Sequence, residues 1–426
     1  MLDIKLIRER PDLVRADLKK RGSAEKGKLL DHLIADDQDY RQLLQELETL
    51  RHQKNLRVEE MGKRIREGEK PDRYRKDLKA LGERIAAAEA AVEEKKAAID
   101  AALMRLPNLL HDSVPIGRDD SQNVEVRSWG KKPSFAFTPK GHEELGVSLG
   151  ILDIERAAKI AGARFSFLKN EGVLLAHALE RLALDRLREK GFSPVLPPFF
   201  MRRQPYEGVV DLGDFQEMMY KIDDEDLYLI ATSEHPLVAQ YQGETLNEAD
   251  LPVRLAGISS CFRKEAGSHG KDTKGIFRVH QFTKVEQIVL SRPEDSWTLH
   301  EELIKNAEDL FRALELPYRV VNVCTGDIGS IAAKKYDLEA WLPVQGRYRE
   351  MVSCSNATDY QARRLRIKYG KRDSPPAGLV HILNSTALVP QRVIVALLET
   401  YQQRDGSVVI PKALVPYTGF KKIEPQ

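Results

Sequence analysis

Over residues 29 to 103, apolar side chains recur every third or fourth position against a background of Glu, Lys, Arg and Ala, with almost no aromatics and no strand-like alternation. That spacing predicts long helix. In its second half, Leu78, Leu81, Ile85, Ala88, Val92 and Ile99 alternate steps of three and four, with Lys95 in the remaining slot, a narrow seam of the coiled-coil kind. Tyr40, Leu44, Leu47, Leu50, Met61 and Ile65 give a looser seam in the first half. Between the halves stands GEKPD, residues 68 to 72, whose Gly68 and Pro71 break helices. The pattern predicts an antiparallel helical hairpin in which each seam buries the other, its helices of roughly 35 residues reaching about 50 Å.

Beyond His111 the pattern changes. A linker, DSVPIGRDDSQNV, leads into short apolar runs separated by turns. Residues 173–190 have the apolar spacing of an amphipathic helix, with Gly191 as its C-terminal stop, and FSPVLPPFF follows as a strand bounded by prolines. Runs at 227–234, 253–265, 275–290, 318–324 and 349–358 read as strands that follow one another without crossover helices, which implies an antiparallel sheet. Residues 381–402 close the set as a strand passing into a helix. The expected fold class is α+β: an antiparallel sheet flanked by helices, behind a helical hairpin, with domains at 1–110 and 111–426.

Charge modifies this picture locally. The formal net charge is only +2, so a polyanionic partner must be met by patches. One lies around the hairpin turn, where residues 63–79 hold eight Lys/Arg against four Asp/Glu, with Tyr74 among them. A basic tip on a long arm suits a nucleic-acid backbone; a dimerisation coiled coil or a solvated tip has the same composition. The second patch is FRKEAGSHGKDTKGIFRVHQFTKVE, residues 262–286, cation-rich yet flanked by strand-like sequence. Three scattered cysteines, Cys261, Cys324 and Cys354, fit neither a disulfide framework nor a zinc site and suit a reducing cytosol. A charged N-terminus and the lack of about 18 consecutive apolar residues predict a soluble, cytoplasmic protein with no membrane partner.

Among chemistry-bearing patterns, GSHGKDTKG lacks the P-loop spacing and leads into a strand, and no GxGxxG, HExxH or zinc-ligand spacing occurs. What remains is polar residues at the ends of apolar strands: Thr232, Ser233 and Glu234; Arg263 and Glu265; Glu286; Glu350 and Ser353; Asn384 to Thr386; and Arg392 at a helix start. Singly they are ordinary. An Arg/Glu pair two apart on a strand is usually a surface ion pair worth about 1 kcal/mol at most, and a Ser or Thr after a strand is usually a turn or cap. Together they describe acids and arginines converging on an anionic, metal-assisted site.

With these residues assembled, the whole chain resembles the seryl-tRNA synthetases, a class II aminoacyl-tRNA synthetase family. LREKGFSPVLPP is similar to the first class II motif, the stretch 262–286 to the second, and LNSTALVPQRVIVALLETYQ to the third. The resemblance implies a class II catalytic domain at 111–426, a tRNA-binding domain at 1–110, a homodimer with the first motif at its interface, and serine–tRNA ligase activity. ATP, L-serine and tRNA(Ser) are the implied substrates, with tRNA(Sec) allowed as a second acceptor and Mg²⁺ as cofactor; no zinc is expected. Arg263 would hold the α-phosphate and Arg392 the γ-phosphate, with Lys264, Met351 and Val352 also along the ATP site. Glu265 would read the adenine amino group, and Phe282 would stack on the base beside Val279. Glu350 and Ser353 would ligate Mg²⁺, and catalysis would rest on Arg263, Arg392 and Glu350. Thr232, Ser233, Glu234, Arg263, Glu286, Asn384 and Thr386 would surround serine. At the hairpin, Lys63, Arg64, Arg66, Lys70, Arg73, Arg75 and Lys76 would grip the long variable arm of the tRNA.

Three departures accompany the resemblance. The family's Thr-Ala-Glu is Thr-Ser-Glu here, so Ser233 adds a hydroxyl. NSTAL resembles archaeal and eukaryotic members, and Pro390, two residues before Arg392, requires a place in the first turn of the helix. A non-catalytic RNA-binding paralogue is the alternative, disfavoured by intact Arg263, Glu265, Glu286, Glu350 and Arg392; a ligase that loads a carrier protein would have no use for the basic-tipped arm.

Overall fold

A computed structural model of the chain describes all residues except 69–71, 212, 214–216 and 266–273, and the side chains of Asp72 and Arg73. The chain divides into two compact units, Met1–Pro107 and Asn108–Gln426.

In the first unit, α1 (Ile4–Glu9) and α2 (Pro11–Lys20) precede α3 (Ala24–Arg66) and α4 (Asp72–Arg105). Helix α3 begins at Ala24, five residues before the start expected from the sequence; in its next turns Leu30 and Leu33 are fully buried, as are Ile7, Val14 and Leu18. Leu47, Leu50, Ile85 and Ala88 form the closed part of the α3/α4 seam, with Leu81 and Val92 packed against them. Lys95 occupies its slot by reaching across to Asp36 at 2.7 Å and Asp39 at 2.9 Å. The seam does not extend to the tip as expected. Residues 51–60 are exposed, Met61 is half-buried and Ile65 is 44 % exposed, since the facing start of α4 offers mainly charged residues, with Tyr74 and Leu78 half-buried. The predicted turn at 69–71 lies outside the described residues.

In the second unit eight strands form one sheet: β1 (Val124–Trp129), β2 (Ser193–Val195), β3 (Val253–Phe262), β4 (Gln281–Ser291), β5 (Tyr318–Asn322), β6 (Lys334–Leu342), β7 (Arg347–Asn356) and β8 (His381–Leu388), in the order β1-β5-β6-β7-β8-β4-β3-β2. Every pairing is antiparallel except the edge strand β2, which runs parallel to β3. Its helices include α5 (His142–Ser148), α6 (Glu171–Glu189), α7 (Glu234–Ala239), α8 (Ser296–Ala313), α9 (Tyr360–Leu365) and α10 (Pro390–Tyr401).

Three strand expectations are corrected: the run at 227–234 forms only a two-residue strand, Tyr228–Leu229, outside the eight-stranded sheet, with Glu234 already in α7. Helix α8 does intervene between β4 and β5, carrying the chain from the sixth to the second position of the sheet. The strand expected from residue 275 starts at Gln281, because Ile276, Phe277 and Val279 are buried in the core as an irregular segment instead of pairing. Central β4 is buried on both faces from Lys284 onward, its polar Lys284, Glu286 and Gln287 included. Val285 and Val289 point into the larger core with α6, α8 and α10, while Ile288 and Leu290 point into a second core with Leu237, Val238, Leu255 and Leu365. Glu286 shares that second face, so the four middle strands can turn polar side chains toward one cavity.

Candidate active site

Register explains the convergence. Thr386 pairs with Glu286 and Asn384 with Ile288 across β8 and β4, while Ser355 pairs with Asn384 across β7 and β8. Period-two alternation puts Ser353, Ser355, Asn384, Thr386, Lys284 and Glu286 on one face. There they line a cavity of about 360 Å³ with Thr232, Glu234, His235, Arg263, Phe282, Glu350, Met351 and Arg392. A small adjoining pocket shares Arg263, Phe282 and Arg392 and adds Glu265, Phe277, Arg278 and Val279.

One end is lined by carboxylates. Lys284 Nζ lies 2.5 Å from Glu286 Oε2, both side chains being over nine-tenths buried, and the Thr386 hydroxyl donates to the same oxygen at 3.2 Å. Glu234 opens α7, its amide donating to Thr232 Oγ1 at 3.2 Å, and Gln361 of α9 donates to its carboxylate at 2.9 Å. Burial pushes the Glu234 carboxyl up to about 7; the Gln361 hydrogen bond draws it down, and neighbouring Glu286 adds to the rise. Burial drives His235 far below its usual value, so its ring is neutral. With Lys284 neutralising Glu286, this end presents hydrogen-bond acceptors and, when Glu234 is ionised, one net negative charge, suited to an ammonium and a hydroxyl.

The other end is cationic. Arg263 Nε donates to the Ala231 carbonyl at 3.3 Å, and its guanidinium lies 5.2 Å from the Phe282 ring centroid. Arg392 donates to the Glu350 carbonyl at 3.0 Å, approaches its carboxylate at 3.5 Å, and stacks 5.2 Å from Phe277. Pro390 is at the first position of α10, where its missing N–H costs nothing, so Arg392 issues from an undistorted first turn. Desolvation works to raise the Glu350 carboxyl, but Arg392, Lys335, Arg263 and Arg278 outweigh it and leave it below its ordinary value. An ionised carboxylate and the Ser353 hydroxyl lining the same cavity are an oxygen donor set that fits a hard divalent cation; among the described residues no cluster of three His, Cys, Asp or Glu forms a protein-only metal site. Glu265 holds a left-handed backbone, φ 49°, and its carboxylate pairs with Arg278 at 2.7 Å.

Most residues singled out from sequence meet here: Thr232, Glu234, Arg263, Phe282, Glu286, Glu350, Met351, Ser353, Asn384, Thr386 and Arg392 in the cavity, Glu265 and Val279 in the adjoining pocket. Ser233, Lys264 and Val352 are not in either lining. Ser233 is fully buried, and its Oγ has no hydrogen-bond partner among the described residues. It packs against Gly257, where an added Cβ would come within 2.6 Å of that oxygen. Lys264 sits 5.9 Å from the Tyr220 ring, and Val352 is in the larger core. Lys63, Arg64, Arg66, Arg75 and Lys76 are exposed at the hairpin end; Lys70 and the Arg73 side chain lie outside the described residues. Lys284, Gln361, Phe277 and Arg278 went unnoticed in the sequence. Lys284 had a signal, two positions before Glu286 on one strand face; Gln361 had none.

A largely antiparallel sheet whose middle strands bring acids to one face, with Arg263 just after β3 and Arg392 on α10 turned toward the same cavity, is the core of a class II tRNA synthetase: residues 219–401 match the family model for the tRNA synthetase class II core domain (G, H, P, S and T). Residues 1–110 match the seryl-tRNA synthetase N-terminal domain. The chain is 50 % identical to a serine–tRNA ligase of Thermococcus sibiricus, covering all of this chain and 98 % of the relative. The crystal structure of seryl-tRNA synthetase from Pyrococcus horikoshii complexed with ATP superposes with a TM-score of 0.96 at 52 % identity, each chain fully covered. The cytoplasmic serine-tRNA ligase of Naegleria fowleri in complex with AMP gives 0.89 at 36 %, over 100 % of this chain and 99 % of that one. The chain belongs to the seryl-tRNA synthetase family. No helix among its described residues is long and apolar enough to cross a membrane.

Proposed function

We propose that the protein activates L-serine with ATP and transfers the seryl group to the 3′ end of tRNA(Ser), with tRNA(Sec) a second acceptor. The carrying observation is one cavity with acceptor-lined and cationic ends, the Glu234 and Glu286 carboxylates at one and Arg263, Arg392 and Glu350 at the other. Glu234 and Glu286 take the serine ammonium and hydroxyl, with Thr232, Asn384 and Thr386 closing around them. Rejecting alanine needs no editing, because without the hydroxyl buried polar groups lose their partner.

Phe282 and Val279 flank the adenine and Glu265 accepts from its amino group. Serine's carboxylate oxygen attacks the α-phosphorus, the bond to the bridging oxygen breaks, and pyrophosphate leaves while Arg263 and Arg392 neutralise the charge. The terminal ribose hydroxyl of the tRNA then attacks the seryl carbonyl, releasing AMP. Neither step requires a protein nucleophile; positioning and electrostatics carry both. Glu350 and Ser353 would hold Mg²⁺, which supplies charge neutralisation on the phosphates. The basic tip around Lys63, Arg64, Arg66, Arg75 and Lys76 grips the tRNA backbone, recognising shape more than sequence. The protein works as a cytoplasmic homodimer through its first class II motif.

The test is serine-dependent exchange of labelled pyrophosphate into ATP without tRNA, with threonine, alanine and glycine beside serine. Exchange with serine alone, lost in Arg263→Ala, supports the reading; no exchange in folded protein overturns it.

A further inference from the structure

A buried, hydrogen-bonded His–Glu pair is not used by the proposed chemistry. His142 opens α5 and Glu399 stands in the last turn of α10; their side chains are 8 % and 1 % exposed, with Nδ1 3.2 Å from Glu399 Oε1. The His142 Nε2 accepts the backbone N–H of Ile276 at 3.4 Å, so the proton sits on Nδ1 and is donated to Glu399. The other oxygen of Glu399 accepts the Val344 N–H at 3.3 Å, in the turn joining β6 to β7. The pair thus links α10, the turn that leads into β7 and, through His142, the 275–279 segment, which carry or lead to Arg392, Glu350 and Val279. Seven residues separate Arg392 from Glu399, about two helical turns, so both side chains leave the same side of α10. Residue Ile276 meets His142 while its neighbour Phe277 supports Arg392 at 5.2 Å and Arg349 at 4.2 Å. The same segment continues into Arg278, which holds Glu265, and Val279. Gly275 completes the fit: its φ is +76°, and a Cβ there would stand 2.0 Å from His142 Nε2.

We infer that His142 and Glu399 are positioning residues for the nucleotide end of the site, locking the 275–279 segment, the start of β7 and the arginine helix into one register. This rests on the ATP-site reading above. None of the three tied pieces itself carries Glu234 or Glu286, although the 275–279 segment runs on into β4 and α10 follows β8, so a disturbance of the pair reaches the nucleotide end first and the serine end only through those strands.

The experiment measures ATP affinity by calorimetry without serine, then the KM values for ATP and serine in pyrophosphate exchange, for His142→Gln and Gly275→Ala, with Tm as the fold control. The expected result is an ATP Kd and KM raised about tenfold, serine KM within about twofold of wild type, and an effect of His142→Gln that is less than additive with Phe277→Leu. An unchanged ATP Kd in a variant of wild-type Tm overturns the inference, as does a serine KM that rises in step with that for ATP. Should His142→Gln fail to fold, Gly275→Ala decides alone by the same criteria. Wild-type protein that binds ATP but shows no serine-dependent exchange strikes the proposed activity and leaves the pair to be judged by calorimetry; wild-type protein that does not bind ATP overturns both.

Discussion

On the function proposed above, the ionisation of Glu234 governs how well the site receives the serine ammonium. Burial raises its carboxyl to about 7, with Gln361 holding it from rising further. Serine keeps its ammonium between pH 6 and 8, so the titrating partner is the carboxylate. With a midpoint near 7, about a tenth of Glu234 is ionised at pH 6 and about nine-tenths at pH 8. Because apparent affinity scales with the competent fraction, KM for serine should fall about tenfold over that interval. Pyrophosphate exchange at saturating ATP measures it. Gln361→Leu removes the hydrogen bond that favours the ionised form, so the midpoint should move up and the KM at pH 7 should rise more than that at pH 8. Glu234→Gln should flatten the profile. A flat serine KM in the wild type, or a tenfold change that survives Glu234→Gln, would refute the reasoning.

The same shift has a stability consequence of definite sign. A folded-state pKa above the ordinary carboxylate value means that stability is fully present below about pH 4.5 and is lost as pH rises through 7, so Glu234→Gln should raise Tm at pH 8, by up to about 3 kcal/mol in stability, and leave it unchanged near pH 4. Lys284→Met leaves the buried Glu286 carboxylate without its cation at 2.5 Å; urea unfolding should show a loss of about 3 kcal/mol, largely restored when Glu286→Gln is added. Ser233→Ala deletes a buried oxygen that bonds to nothing described, so unfolding free energy should change by less than about 1 kcal/mol and the serine KM should not move. Replacing Lys63, Arg64, Arg75 and Lys76 by Ala should leave exchange intact while raising the KM for tRNA, and the log–log salt slope of tRNA binding should flatten by about one for each phosphate that is no longer neutralised.

The sequence by itself determined the periodic and the local features. The helical hairpin followed from apolar residues every third or fourth position, and its Lys95 exception was visible as a polar residue in an apolar slot. Strands β3, β4, β7 and β8 were legible as apolar runs, and the residues at their ends proved to be most of the cavity wall, because a strand's alternation assigns faces before any partner is known. Pro390 could be constrained to the first turn of α10 from its chemistry alone. Tertiary structure decided everything that depends on what lies opposite. The hairpin seam stops near Leu50 because α4 begins with charged residues, and residues 275–280 leave the sheet because their apolar side chains are taken up by the core instead of by a strand partner. Ser233 and Glu234 are neighbours in sequence, yet one side chain is sealed against Gly257 and the other lines the cavity. Gln361 lies 127 residues from the carboxylate it holds, and Glu399 lies 257 residues from His142. Periodicity is a property of one segment, whereas hydrogen-bond partnership, burial and a shifted pKa belong to pairs of segments that meet only when the sheet has set their register.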